Sequence, residues 1–349
     1  MSKKKTIALI LAAIIVLGFI IGGIIRNNDA KSDSNPVETE DVSAPEQLIN
    51  PLTGEKLDND ISSARPYCIM INNHAVARPS VGLSHASIIY EALVEGDITR
   101  LMAIFSDVEG FDIGHIRSCR HYYVSLAQAY DAIYVHWGSS NIGDDYLNKY
   151  KIDDIDQLKL GDAAGFYRES GNTAIEHRAM VNGTELSEYV KAHNRVDHSS
   201  DYDKSYGLSF ADNAVEQCTN SSSEFIVQYL GSTKTTFKYN PDKSCYNAYM
   251  SGNEYIDRTN DASIDLANVI VLNVAYDVVD DAAHKDMTLT GSGTGYFATG
   301  GKYVEINWTR DGVDDNFHYT LTDGTPLNLS IGRTYVCIAP LDKGGSVTW

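Results

Sequence analysis

IGHIRSCRHYYVSLAQAY, residues 113–130, is the stretch on which the reading of the whole chain turns. An apolar segment ends at Ile116, two arginines and a serine follow, and Tyr122, Leu126, Ala129 and Tyr130 then recur at helical spacing. Ser118 is a good N-cap, so the pattern predicts a helix that starts there, with Arg117 just before the cap and Arg120 in the first turn. Arginines are unfavourable at that end, because a helix N-terminus already carries partial positive charge. Two of them beside free backbone amides make an anion site, unless Asp107, Glu109 and Asp112 just upstream absorb the charge. Cys119 lies between Ser118 and Arg120, where a thiol would be acidified. Small buried cysteines are the commoner case, and no nucleophile motif surrounds this one.

Working outward, DAIYVHW (131–137) reads as a strand followed by the loop Gly138-Ser139-Ser140. His136 at its C-terminal end is a candidate general acid or base, or a histidine that satisfies a loop carbonyl. Upstream, YCIMIN (67–72) is a short apolar run that reads as a buried strand. Asn72, Asn73, His74 and Arg78 follow it, where open α/β sheets place ligands and where turns also form. SIIYEALVE and ITRLMAIF flank Gly96-Asp97 and predict a β-hairpin with a two-residue turn. That register sets Leu93 opposite Arg100 and Glu91 opposite Met102, so Glu91 and Arg100 share a face, as an ion pair or as an arginine held for a ligand. A three-residue turn would separate them. Further on, Tyr167, Arg168, Glu176, His177 and Arg178 form a second polar cluster before a helix capped by Thr184.

Beyond a polar connector, residues 195–221, the pattern is strand after strand: EFIVQYLG, KTTFKYN, CYNAYM, NVIVLNVAYDVV, GYFATGGKYVEINW, FHYTLTDGTPL and RTYVCIA. Residues 222–349 therefore read as a β-rich domain, either a sandwich or a sheet packed on residues 50–194. GSGTGY (291–296) lacks the spacing of a nucleotide loop and reads as a hairpin edge. The fold class is mixed α+β.

The chain begins MSKKK and runs into an apolar stretch at residues 7–25. At about 1.5 Å per residue such a helix crosses most of a bilayer core. The lysines of residues 1–6 leave the N-terminus cytoplasmic and the bulk of the chain outside. Residues 26–49 are polar and acidic and read as a stalk. Setting aside Lys3, Lys4, Lys5 and Arg26 leaves 24 basic against 47 acidic residues, net −23, which excludes nucleic-acid binding by bulk attraction. The five cysteines lack Cys-x-x-Cys spacing, and no His-Glu-x-x-His occurs, so neither a metal nor a cofactor is expected. Cys218 and Cys245 are the pair with the shortest separation for a local disulfide.

The runs NPLTG, RP-x-x-x-MINNH-x-x-ARP, GLS-x-A-x-IIYEALVEG-x-ITR, IG-x-IRS-x-R and YDAIYVHWG together resemble the YerB-like bacterial lipoproteins, a family of unknown function. The likeness is close from Asn50 to about Ser140 and looser to Pro340. It implies an extracytoplasmic α/β body with a distinct β-rich C-terminal part, and it supplies no reaction. Three departures stand out: an apolar stretch replaces the lipid-bearing cysteine, Ile175-Glu176-His177 replaces Pro-His-Asn, and Cys119 sits where another small residue is usual. The expectation is a membrane-anchored envelope protein that binds an anionic or sugar-phosphate ligand, or an unidentified protein partner. Arg100, Arg117, Ser118, Arg120, His136, Asn73 and His177 are the candidate contacts. The alternatives are an envelope hydrolase using His136 or Glu91, and a scaffold whose arginines are internal ion pairs.

Overall fold

The computed structural model describes residues 47–349 except 62, 200 and 201. The expected cytoplasmic stub, the apolar stretch at 7–25 and nearly all of the stalk lie outside the described residues. Among the described residues no helix is long and apolar enough to cross a membrane. The fold is mixed α+β, as the sequence predicts.

Three strands form the centre: β1 (Tyr67–Asn72), β2 (Ile88–Leu93) and β3 (Thr99–Phe105). All three are buried along their length, as suits strands covered on both faces. β1 is antiparallel to β3 and parallel to β5 (Ile133–His136), which in turn runs parallel to β6 (Asp154–Asp156). On its other side β2 pairs in parallel with the strand Thr334–Ala339, from nearly the end of the chain. Asn268–Asn273, Gly291–Thr299, Lys302–Arg310 and His318–Leu321 continue from there, so one eleven-stranded sheet runs through both halves of the sequence. The C-terminal half is thus joined to the first within a sheet, and does not simply pack on it. Glu224–Gln228, Lys234–Asn240 and Cys245–Met250 belong to a second, six-stranded sheet, and Ile256–Asp257 with Ala262–Ser263 and Tyr276–Val278 with Lys285–Met287 form separate two-stranded sheets.

A small sheet of β4 (Asp112–Gly114), β7 (Phe166–Arg168) and β8 (Ala179–Asn182) completes the N-terminal half. Helix α1 (His121–Ala129) is buried on nearly every side, which explains why its apolar stripe is broad. It is tied to the sheet by Tyr122 Oη to Leu93 O at 2.5 Å and Tyr123 Oη to Arg100 O at 2.6 Å. Helix α2 (Asn141–Tyr150) is capped by Ser140, and α3 (Gly183–Ala192) by Asn182. Thr184, expected as that cap, instead accepts from Gly110 N.

Two local expectations are corrected. The hairpin pairs Leu93 with Thr99, Ala92 with Arg100 and Glu91 with Leu101. Val94 N donates to Ile98 O and Ile98 N to Glu95 O, so Glu95-Gly96-Asp97 is a three-residue turn with Gly96 at φ +54°. Glu91 and Arg100 therefore leave the sheet on opposite faces. The second correction concerns α1, whose N-cap is Arg120, not Ser118. The Gly-rich run lies inside the strand Gly291–Thr299, where a Cβ on Gly293 would come 2.6 Å from the Trp308 ring. Gly293 makes room for a tryptophan and Gly295 for the Val271 carbonyl.

Candidate functional site

The site is built where β1 and β5 part. They pair from Tyr67–Ile133 to Ile69–Val135 and then separate. Into the gap comes the extended segment 115–119. Asn72 N donates to His115 O at 2.8 Å, Arg117 N to Met70 O at 2.9 Å, Trp137 N to Arg117 O at 3.1 Å, and Cys119 N to Gly138 O at 2.9 Å. This pairing delays the helix: residues that satisfy two strand ends cannot also take helical dihedrals. The wedge lies at the C-terminal ends of parallel strands, the position that open α/β sheets use for ligands.

Three guanidiniums converge there from different elements. Arg100 enters with β3, opposite Asn72, and its Nη1 donates to Ser118 O at 2.6 Å. Arg120 caps α1 and donates to the Cys119 carbonyl at 2.7 Å. Both are buried, and one carboxylate serves both: Glu95 meets Arg100 Nη2 at 3.4 Å and is in direct contact with Arg120 Nη2. His284 Nε2 approaches the same carboxylate at 3.5 Å. Glu95, in the hairpin turn, is thus the counter-charge that sequence reasoning missed. An acid two residues past a strand whose partner brings in an arginine was the available signal.

Arg117 is different. It is half-buried, its Nη1 donates to Glu176 O at 3.0 Å, and its Nε is buried without a partner. Among the described residues no carboxylate lies within ion-pair distance of it. Burial, with Arg100 and Arg168 adding to it against the opposing Glu176, pushes its pKa down to about 10. A cation in that state gains from any anion that approaches. No side chain caps α1 nearby, so the helix N-terminus is not answered locally either.

The rim is the segment 168–178, held down by its own arginines. Arg168 lies over the Trp137 ring at 4.1 Å and donates to Ile175 O, and Arg178 donates to Gly171 O at 3.2 Å. His177 is fixed through Asn72, whose Oδ1 accepts from His74 N at 2.9 Å. The Asn72 amide group must then donate to His177 Nδ1, at 2.8 Å, which leaves the ring proton on Nε2. Burial, and then Arg117, hold this imidazole below its usual pKa.

The other candidates play different parts. His136 is fully buried, with Nδ1 2.8 Å from Gly138 O and Nε2 3.3 Å from Asp154. It satisfies a loop and sits between the carboxylates of Asp154 and Asp156. Ser118 is half-buried and donates to Trp137 O at 3.1 Å. Asn73 and Glu91 belong to the opposite face: Asn73 Nδ2 donates to Glu91 Oε1 at 3.0 Å, and Glu91 is 1% exposed. Cys119 is sealed, and burial pushes its thiol up to about 12, the reverse of an activated nucleophile. All five cysteines are free, Cys218 and Cys245 included. Among the described residues no cluster of metal-ligating side chains occurs.

The body is β-rich, its two halves share one sheet, and an arginine wedge stands at the strand ends. The chain matches the N-terminal domain of the DUF3048 family of proteins of unknown function over residues 52–196, and the C-terminal domain of that family over residues 225–336. It belongs to that family. It is 29% identical over 303 residues to the putative lipoprotein YerB of Bacillus subtilis (strain 168), covering 84% of this chain and 87% of the relative. The crystal structure of YerB from Bacillus subtilis superimposes with a TM-score of 0.73 at 24% identity, over 87% of this chain and all of that one, which shows a shared fold.

Proposed function

We propose that this chain is an extracytoplasmic binding protein of the cell envelope that holds an anionic group, a phosphate or sugar-phosphate, against Arg117. The observation that carries the reading is the half-buried Arg117 guanidinium, which has a backbone carbonyl but, among the described residues, no carboxylate partner, and stands beside Arg100 and Arg168. The Nε2–H of the neutral His177 ring adds a donor on the same rim. Arg100 and Arg120 shape the positive field from beneath, because Glu95 offsets only one of their two charges. Placement in the envelope is supported by the lipoprotein description of the YerB relative, and by the lysine-flanked apolar stretch at 7–25. Catalysis by His136 has no support from the geometry, since that ring is sealed from solvent. The sharing of Glu95 by two arginines favours a second reading, a scaffold whose charges are internal.

Thermal unfolding of the full chain with inorganic phosphate, pyrophosphate and a polyol-phosphate polymer tests this. A ligand at a hundred times its dissociation constant stabilises the fold by about 2.7 kcal/mol. The stabilisation is expected for the wild type and absent in Arg117→Ala. No shift with any of these, or an equal shift in Arg117→Ala, would leave the scaffold.

A further inference from the structure

The second cluster of interest lies on the other face of the sheet, in a groove between the loop after β1 and the second sheet. Two adjoining cavities, of about 300 and about 330 Å³, share Ala75, Arg78, Met250 and Ser251 as a common wall. Asn73 and Glu91 form part of the floor of the first. The groove lies between the parts of the chain matched by the two family domains, the kind of place where ligand clefts form.

Polar atoms in the groove remain unanswered. Asn73 is 7% exposed, and its amide orientation is fixed: Nδ2 donates to the Glu91 carboxylate and to Thr99 Oγ1, so the remaining atom is the acceptor Oδ1. That oxygen is buried and has no hydrogen-bond partner. Arg78 Nε is likewise buried and unpartnered, while Nη2 reaches Ser251 Oγ at only 3.3 Å. Lys234 stands exposed on the wall of the same cavity. Glu91 lines the same cavity, and its four hydrogen bonds from the neutral groups of Asn73, Thr99, Thr235 and Tyr335 leave its charge in place, so Arg78 and Lys234 leave the lining one positive charge in excess. Buried polar groups are normally satisfied, so an orphaned acceptor and an orphaned cationic donor on two residues that line one cavity ask for a ligand that supplies both partners as the side chains adjust to it.

We infer that the groove binds a short peptide with a free carboxylate. The carboxylate sits against Arg78 and Lys234, and a peptide N–H donates to Asn73 Oδ1. The second cavity, with Ala75, Pro79, Met250, Tyr255 and Ile256 in its wall, takes a small apolar side chain. An acidic sugar offers the carboxylate and an O–H donor but nothing for that apolar wall. This site is independent of the Arg117 wedge and does not require it.

Titration calorimetry of the full chain with N-acetyl-alanyl-alanine, its C-terminal amide and glucuronic acid tests the assignment. The peptide acid is expected to bind, with the amide and Arg78→Ala each weakening it about tenfold, as loss of a charge-assisted contact does. Lys234→Ala, on an exposed residue whose loss leaves the fold intact, is expected to weaken it less. Arg117→Ala is expected to leave it unchanged, whatever happens to phosphate binding. No heat with the peptide, equal binding of acid and amide, affinity unaffected by both Arg78→Ala and Lys234→Ala, or tighter binding of glucuronic acid would each overturn the proposal.

Discussion

The carboxylate of Glu91, on β2, accepts a hydrogen bond from the hydroxyl of Tyr335 at 2.8 Å, from a strand 244 residues further along the chain. Thr235 Oγ1 adds a second at 2.8 Å to the same oxygen, and Asn73 and Thr99 saturate the other. A carboxylate 1% exposed without a cation is held by four neutral donors drawn from both halves. Removing it strands those four buried donors. Glu91→Ala is expected to lose about 4 kcal/mol, and Glu91→Gln, which keeps shape and one acceptor, roughly half of that. Urea unfolding reads both. A Glu91→Ala midpoint within error of wild type would show that the carboxylate does not tie the halves together.

Much of this frame is legible in the sequence. YCIMIN and KTTFKYN coincide with their strands, because an apolar run and a residue alternation report directly on burial. The hairpin is legible too, but its register is not. Gly96-Asp97 fits a two-residue turn by composition, and only the pairing of Val94 with Ile98 makes it three. That single residue decides whether Glu91 faces Arg100 or Tyr335. The start of α1 is obscured for a different reason. Ser118 has cap chemistry, yet residues 115–119 are claimed by the ends of β1 and β5, a tertiary demand that no local pattern announces. The arginines themselves were readable, but their counter-charge Glu95 came from a turn.

Arg310 closes the other side of α1. It is fully buried, and its guanidinium donates to Asp315 O at 2.7 Å, Ser125 Oγ at 2.8 Å, Ser125 O at 2.9 Å and Val313 O at 2.8 Å. Only a planar fork reaches acceptors in those directions, and an ammonium offers its donors from one point. Arg310→Lys keeps the charge but is expected to cost about 3 kcal/mol, since most of the acceptors go unmet. At about 2.1 cal/mol/K of unfolding entropy per residue, a folded body of about 300 residues loses roughly 5 °C of melting temperature for that. A shift of only a degree or two would mean that charge alone matters at this position.

Asp257 makes stability depend on acid. Its side chain accepts from Gly82 N at 3.0 Å, Ser84 N at 2.8 Å, Ser84 Oγ at 2.7 Å and Thr259 N at 2.8 Å, joining the loop before β2 to the C-terminal half. Burial pushes this carboxyl up, but the hydrogen bonds from Ser84 and Thr259 outweigh burial and hold it below the usual aspartate value. A depressed folded pKa gives stability that is complete above the unfolded value, about 3.9, and is lost as pH falls through the folded one. The stability gap between wild type and Asp257→Asn is therefore expected to be flat above about pH 5 and to narrow below about pH 4. Unfolding midpoints across that range measure it, and a gap that stays constant into acid would contradict the linkage.

The cysteines supply the last expectation. All five are buried and unpaired, and burial pushes Cys218 and Cys245 up to about 11 and Cys119 up to about 12. Thiol–disulfide exchange proceeds through the thiolate, so a group that is both inaccessible and protonated at pH 8 reacts only when the chain opens. A chromogenic disulfide reagent should find no fast-reacting thiol in the native protein and all five after denaturation without reductant. Two missing thiols in the denatured sample would mean that a disulfide forms after all, with Cys218 and Cys245 the first pair to map. One fast thiol in the native sample, lost in Cys119→Ser, would instead expose the wedge to solvent and reopen a nucleophilic role for Cys119.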